Sequence, residues 1–349
     1  MKGRIIMRNS KNYISPWILL TNNCNLSCEY CYIKQDEGYM NTATMAQINK
    51  TFIEMWETFQ VDRVIYRIAG GEPMLNIVPM IPYLEEFLDI LGDCGFVSII
   101  TNLTILPTEV IAFLRKYENV GISVSLDGTG FSKPYHDGFS SSRAVLSNME
   151  KLFHEGIITP DRVEVSTVLT AQTIGGLPQL ATQIALWGVG WGVYLNHYFN
   201  GEIHKDIILL KMTHAIEILM RLNYNLYNNF KFNNISLSEN FDGCTAGNKL
   251  IAIDVDGSIY PCQTAIYGKP TATVFTDGVL DKIRNQKIYN VGCNYVLPQD
   301  CLICPILDLC GGGCKLNQKE ENRKYSCTIM KDVVLKMATQ EMKRREIYA

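Results

Sequence analysis

No stretch of this 349-residue chain stays apolar long enough to cross a bilayer, and its opening, MKGRIIMRNSKNYISPW, lacks the apolar run of a secretory signal. Charge of one sign is missing too: 32 basic and 35 acidic residues leave a net charge of −3, with no long basic run. Polyphosphate backbones and anionic membrane surfaces are held by basic patches, so neither nucleic acid nor membrane is expected as a partner. Histidine is scarce, five in all, and His197, His204 and His214 lack the compact spacing of metal ligands. Internal repeats and low-complexity tracts are absent. The expected setting is therefore the cytoplasm, where thiols stay reduced.

What the chain does have is cysteine, twelve in number, which in a reducing compartment points to metal rather than disulfides. Hydrophobic residues at 47% and charged residues at 19% give a globular composition, and a chain of this length can bury a core without disulfides.

Apolar periodicity alternates along the first two hundred residues. Strand patterns at 15–21, 63–73, 96–102, 120–128, 162–170 and 191–199 are each followed by a helical pattern, at 44–59, 78–92, 107–117, 142–156, 176–188 and near 206–230. Six such steps predict an α/β fold with a parallel sheet, closed as an incomplete barrel. Ligands of such sheets sit beyond the C-terminal strand ends, where the polar turns GGEP (70–73), TN (101–102) and SLDG (125–128) fall. After about residue 240 the composition changes: glycine turns appear, DVDGSIY (254–260) reads as a β-hairpin, and eight cysteines lie between 244 and 327. The expected units are residues 1–200 as the barrel, 201–240 as a helical linker, and 241–349 as a cysteine-rich domain ending in a helix.

The stretch CNLSCEYCY places Cys24, Cys28 and Cys31 within eight residues, with no fourth cysteine nearby. Three thiolates can hold three irons of a four-iron cluster and leave the fourth iron open to a small molecule. A structural zinc that borrows a remote fourth ligand is the alternative. The spacing Cys-x3-Cys-x2-Cys, with Tyr30 before the last cysteine and the whole loop following the first strand, resembles the signature of the radical S-adenosylmethionine (radical SAM) superfamily. The resemblance implies a TIM-like partial (β/α)6 barrel and a [4Fe–4S] cluster whose free iron chelates SAM. It further implies reductive cleavage of SAM to a 5′-deoxyadenosyl radical that abstracts hydrogen from a substrate.

The same resemblance extends downstream. Gly70, Gly71 and Glu72 match the glycine-rich strand end that receives the SAM amino group. Ser125 and Asp127 match the fourth-strand motif near ribose and methionine, Asn102 the third-strand end, and Ser166 a fifth-strand position. A plain turn at GGEP and a satisfied strand serine at 166 are the structural alternatives. The family often continues after SLDG with a basic segment; here YHDGFSSSR keeps His136 and Asp137, its arginine, Arg143, falls on the next helix, and no partner for the SAM carboxylate is assigned.

The later cysteines run Cys244-x12-Gly257-x4-Cys262, then Cys301-x2-Cys304-x5-Cys310-x3-Cys314, then Cys327. This resembles the SPASM extension of radical SAM enzymes, which implies two auxiliary [4Fe–4S] clusters: Cys244, Cys262 and Cys314 on the inner, Cys301, Cys304, Cys310 and Cys327 on the outer. Two zinc sites are the alternative. Cys94 reads as a core thiol; Cys293 reads as a residue without a role, with a fourth ligand of the inner set and an acid or base as the alternatives. Trp187 and Trp191 read as packing, and RLNYNLYNNFKFNN (221–234) as a polar helix end facing the substrate.

The function implied is post-translational modification of a peptide or protein substrate: a thioether or carbon–carbon crosslink, or a side-chain oxidation. A ribosomally made peptide is the expected substrate and a flavodoxin- or ferredoxin-type protein the expected electron donor. Leader recognition would then fall to the barrel face, the 199–240 segment or a partner, because the first strand comes almost at once. The alternatives are an anaerobic sulfatase-maturating enzyme, against which Gln263 stands where those relatives place an aspartate base, and a non-catalytic iron–sulfur or zinc protein.

Overall fold

The computed structural model describes residues 12–195, 203–238, 244–284, 297–314 and 320–348. Six strands lie parallel in chain order: β1 (Tyr13–Leu19), β2 (Arg63–Ala69), β3 (Gly95–Thr101), β4 (Val120–Ser125), β5 (Val163–Leu169) and β6 (Gly190–Leu195). Between them run α1 (Thr42–Phe59), α2 (Ile81–Leu91), α3 (Thr108–Lys116), α4 (Ser142–His154) and α5 (Leu177–Trp187), and α6 (Lys205–Arg221) follows β6. In β3 and β5 residues alternate between buried and partly exposed: in β5, Val163, Val165 and Leu169 are buried and Glu164 and Ser166 are not. The buried set meets the helices. In α2, Leu84, Phe87, Leu88 and Leu91 recur at helical spacing, and Phe87 stacks on Tyr66 of β2 with ring centroids 3.8 Å apart. Helix ends follow local chemistry: Asn41 caps α1 by accepting from Thr44 N at 2.8 Å, and Gly188 ends α5 in the left-handed conformation.

Two further strands join the edges of this sheet. β7 (Phe230–Phe232) runs parallel to β6, and β8 (Leu250–Ile253) runs parallel to β1, with Ser15 opposite Leu250. β9 (Ser258–Tyr260) and β10 (Ala272–Thr273) continue antiparallel, giving the order β10-β9-β8-β1-β2-β3-β4-β5-β6-β7. The hairpin read at 254–260 is β8–β9, and the sheet runs unbroken from the barrel into the cysteine-rich region. The polar helix end expected at 221–234 is instead a short helix, α7 (Leu226–Asn229), and β7: Phe230 and Phe232 are fully buried on either side of Lys231. The cysteine-rich region adds α8 (Val279–Arg284), α9 (Gln299–Leu302), α10 (Leu307–Cys310) and α11 (Glu320–Tyr348). α11 lies on α6, α7 and β7 through the buried Ile329, Met330, Val333, Val334 and Met337.

This topology separates the cysteines. Cys24, Cys28 and Cys31 follow the C-terminal end of β1. Cys244 precedes β8, which starts level with Ser15, and Cys262 follows β9, which runs back towards that level. The two sets therefore lie at opposite mouths of the barrel. Between them the inner face is polar: Arg67 Nε donates to Ser15 Oγ at 2.8 Å, the Ser123 and Ser166 hydroxyls are 3.1 Å apart, and Lys231 pairs with Glu164 at 3.1 Å.

Candidate active site

The cysteine loop is fastened to the GGEP turn by backbone. Gly71 N donates to Thr21 O at 2.7 Å and Glu72 N to Asn23 O at 2.9 Å. A Cβ on Gly70 would lie 2.3 Å from Thr21 O, and one on Gly71 2.2 Å from Asn23 O. Glycine is required there because two backbones touch.

Glu72 is fully buried. Its carboxylate accepts from Thr101 Oγ1 at 2.6 Å, Asn102 N at 2.7 Å and Met74 N at 3.1 Å. It ties the end of β2 to the end of β3. Burial pushes its carboxyl up to about 7, against the pull of those three donors and of Lys133. Asn102 then reaches the cysteine loop, donating to Asn25 Oδ1 at 2.9 Å and lying 3.8 Å from Cys24 Sγ.

A second fastening comes from the segment after SLDG. Ser27 N donates to Pro134 O at 3.0 Å, Leu26 bridges Tyr135, and His136 Nε2 lies 3.0 Å from Cys24 O. The segment is itself knitted by Ser141 N donating to Lys133 O and by Ser132 N donating to Ser140 Oγ.

These pieces enclose a cavity of about 400 Å³ lined by Cys28, Tyr30, Asp127, Lys133, Thr170 and Thr173 among others. Asp127 is buried, accepting from Tyr30 OH at one oxygen and from Val168 N at the other, 2.9 Å away. Ser125 lies half-buried at the end of β4, and Ser166 faces Ser123 below. Of the residues marked by sequence, the cavity thus brings together Cys28, Tyr30 and Asp127. Arg143 is exposed on α4. Lys133, which the sequence does not single out, is the cation at the cavity; its one signal is its place eight residues after Ser125 in the segment where a basic residue is expected.

Cys24 and Cys28 are half-buried and Cys31 is exposed, with Lys133 as the cation near Cys28 and Cys31. Burial pushes Cys24 up to about 11 and Cys28 up to about 12, and raises Cys31. Cys31 adds to the rise at Cys24 and Cys28, Cys24 adds to that at Cys28, and Lys133 opposes the rise at Cys28 and Cys31. Such a donor set fits a cationic iron centre, which would hold all three as thiolates.

The later cysteines form two electrostatic neighbourhoods. Burial raises Cys262, and Cys244 and Cys314 add to it. Burial raises Cys310 and Cys327, and Cys301 and Cys304 add to both. Among the described residues no three histidine, cysteine, aspartate or glutamate side chains close around a single metal ion. Cys94 packs half-buried against the core. His204 caps α6 and His214 is exposed on it, whereas Cys293 and His197 lie outside the described residues. Trp191 is fully buried, its indole donating to Thr167 Oγ1 at 2.9 Å, and Trp187 packs on Phe153.

Residues 18–179 match the family model of the radical SAM superfamily. The match spans the parallel strands β2 to β5 and their helices, a little under half of the chain. Radical SAM enzymes use SAM and a [4Fe–4S] cluster. Over 312 residues this chain is 25% identical to the mycofactocin maturase MftC of Mycobacterium ulcerans, covering 84% of this chain and 81% of MftC. It is 27% identical over 122 residues to the subtilosin biosynthesis protein AlbA of Bacillus subtilis, covering 34% of this chain and 25% of AlbA. The fold is shared with anSMEcpe, solved with bound AdoMet and a Cp18Cys peptide, at a TM-score of 0.71 and 15% identity over 96% of this chain and 99% of that one. It is shared with Streptococcus suis SuiB bound to the precursor peptide SuiA, at 0.66 and 17% over 89% and 74%. No helix among the described residues is long and apolar enough to cross a membrane.

Proposed function

We propose that the chain is a radical SAM enzyme, a peptide maturase with two auxiliary iron–sulfur clusters. The observation that carries the reading is the placement of cysteines at both mouths of one polar barrel. Cys24, Cys28 and Cys31 would hold the cluster that meets SAM. Cys244, Cys262 and Cys314 would hold the inner auxiliary cluster, and Cys301, Cys304, Cys310 and Cys327 the outer one. When bound, the first cluster and SAM supply one-electron cleavage of the sulfonium and a 5′-deoxyadenosyl radical able to take hydrogen from an unactivated carbon.

The chain's own part is placement. Gly70 and Gly71 let the backbone at the end of β2 close on the cysteine loop, and Glu72 and Asn102 fix that loop against β3. Tyr30, Asp127, Ser125 and Ser166 would present polar groups to SAM. The segment 128–141 packs against the cysteine loop at Ser27, Leu26 and Cys24, and the lumen with Arg67, Glu164 and Lys231 would receive the reacting residue of the substrate. A ribosomally made peptide is the substrate proposed, in keeping with the long match to MftC; the modification would be a crosslink or a side-chain oxidation. A reduced flavodoxin or ferredoxin in the cytoplasm would supply the electron. Formylglycine formation is disfavoured at Gln263, whose carboxamide takes no proton near neutral pH.

The test is co-expression with a short neighbouring reading frame, followed by mass spectrometry. A loss of hydrogen from the peptide that requires Cys28 is expected. An unmodified peptide, together with reduced protein that leaves SAM intact, would sink the reading.

A further inference from the structure

Lys133 is a buried cation that lacks a proper partner. It is 8% exposed, and the nearest anionic atom is Asp127 Oδ1 at 3.6 Å, beyond a good hydrogen bond. That oxygen is already taken by Val168 N, and the other by Tyr30 OH. The ammonium hovers 5.6 Å from the centroid of the Tyr30 ring, and among the described residues it makes no hydrogen bond. Burying an ammonium with its donors unused is costly unless something else accepts from them. The side chain lines the 400 Å³ cavity beside Cys28 and Tyr30. Its backbone is pinned on both sides, by Ser141 N to Lys133 O and by the Pro134–Ser140 bridge, so the stem is aimed and does not trail.

We infer that Lys133 holds the carboxylate of the methionine half of SAM and is the positioning cation that the missing arginine leaves open. The inference rests on the radical SAM reading of this cavity. The chemistry is that of a point charge with three donors, facing an anionic group that enters between Cys28 and Thr170 and uses the donors Asp127 does not take. A second source of negative charge is the cysteine loop itself, since Cys28 lines the same cavity and would be a thiolate when it holds a cluster. The two sources separate experimentally.

The experiment measures anaerobic equilibrium binding of SAM and of decarboxylated SAM to the full, cluster-loaded chain, as wild type, Lys133→Met and Lys133→Arg. Wild type is expected to prefer SAM by about 10- to 100-fold, the scale of one charge-assisted hydrogen bond in a buried site. Lys133→Met should lose that preference while binding decarboxylated SAM within about threefold of wild type, and Lys133→Arg should restore most of it. Iron content and the spectrum of the reduced cluster should be unchanged in Lys133→Met.

Equal binding of the two compounds by wild type overturns the assignment without any variant. So does a variant that weakens both alike or loses iron, which would make Lys133 a counter-charge for the cysteines. Binding of neither compound by loaded wild type would instead overturn the radical SAM reading, and the assignment with it.

Discussion

The two cysteine-bearing mouths of the barrel are built on different plans. At one mouth, three cysteines share a single loop that is clamped by backbone contacts to Gly71, Glu72 and Pro134. At the other, Cys244, Cys262 and Cys314 come from three separated segments, brought together by β8 and β9 joining the edge of the sheet. The first site is local in sequence and rigid in its support; the second depends on non-local pairing. A site meant to present one open position to a small molecule gains from a clamped loop. A site that closes the far end of a lumen has to wait for the whole sheet.

The largest expected effect breaks the comparison outright. Cys28→Ala should abolish SAM cleavage, by at least about 1,000-fold, whereas Cys310→Ala should leave cleavage within about tenfold and abolish peptide modification. Measured as 5′-deoxyadenosine and as peptide mass, equal loss of both products in both variants would erase the distinction between the mouths. Gly71→Ala comes next. Its Cβ would meet Asn23 O at 2.2 Å, so the clamp must open. A loss of about 2–4 kcal/mol in denaturant unfolding is expected, with iron lost from the N-terminal loop first.

Glu72 supplies a pH test of the same clamp. Its folded carboxyl is raised to about 7, so the folded state binds the proton more tightly than the unfolded chain. Stability from this group is fully present below the ordinary glutamate range and falls as pH rises towards 7. Glu72→Gln should flatten that slope, and Glu72→Ala, which orphans three donors, should cost on the order of 3 kcal/mol. An unchanged slope in Glu72→Gln would show that another group sets it. The smallest effect belongs to the far side. Burial alone would raise Glu341 of α11, but Arg344 and Arg345 hold it below the usual carboxylate range. The stability it adds is present above that range and is lost as pH falls through its folded value. Glu341→Gln should cost under about 1 kcal/mol near neutral pH, because Arg345 is exposed.

Much of the barrel was legible because each βα step carries its own periodicity. The strand expected at 162–170 is Val163–Leu169, and the helix expected at 176–188 is Leu177–Trp187. β7 was not legible, since three residues, FKF, are too few for a period to register against a polar neighbourhood. β8 was legible as half of a hairpin but not as a barrel strand, because its partner Ser15 lies more than two hundred residues away in sequence. In the site, the cysteine loop and GGEP, both marked from the sequence, lie side by side in the structure. The glycines' reason, backbone contact with Thr21 and Asn23, was hidden, as was Glu72's burial against Thr101. Lys133 carried only its place in that segment as a signal: whether a lysine lines a cavity depends on how Ser132–Ser141 folds back on Leu26.

The central claim is that the clamped cysteine loop holds a cluster open to SAM. The direct measurement is electron paramagnetic resonance of the full chain, loaded with iron and sulfide and reduced without oxygen, before and after SAM is added. The account predicts that a reduced cubane signal changes shape on addition and that 5′-deoxyadenosine accumulates. A signal indifferent to SAM, with no nucleoside released, would contradict it.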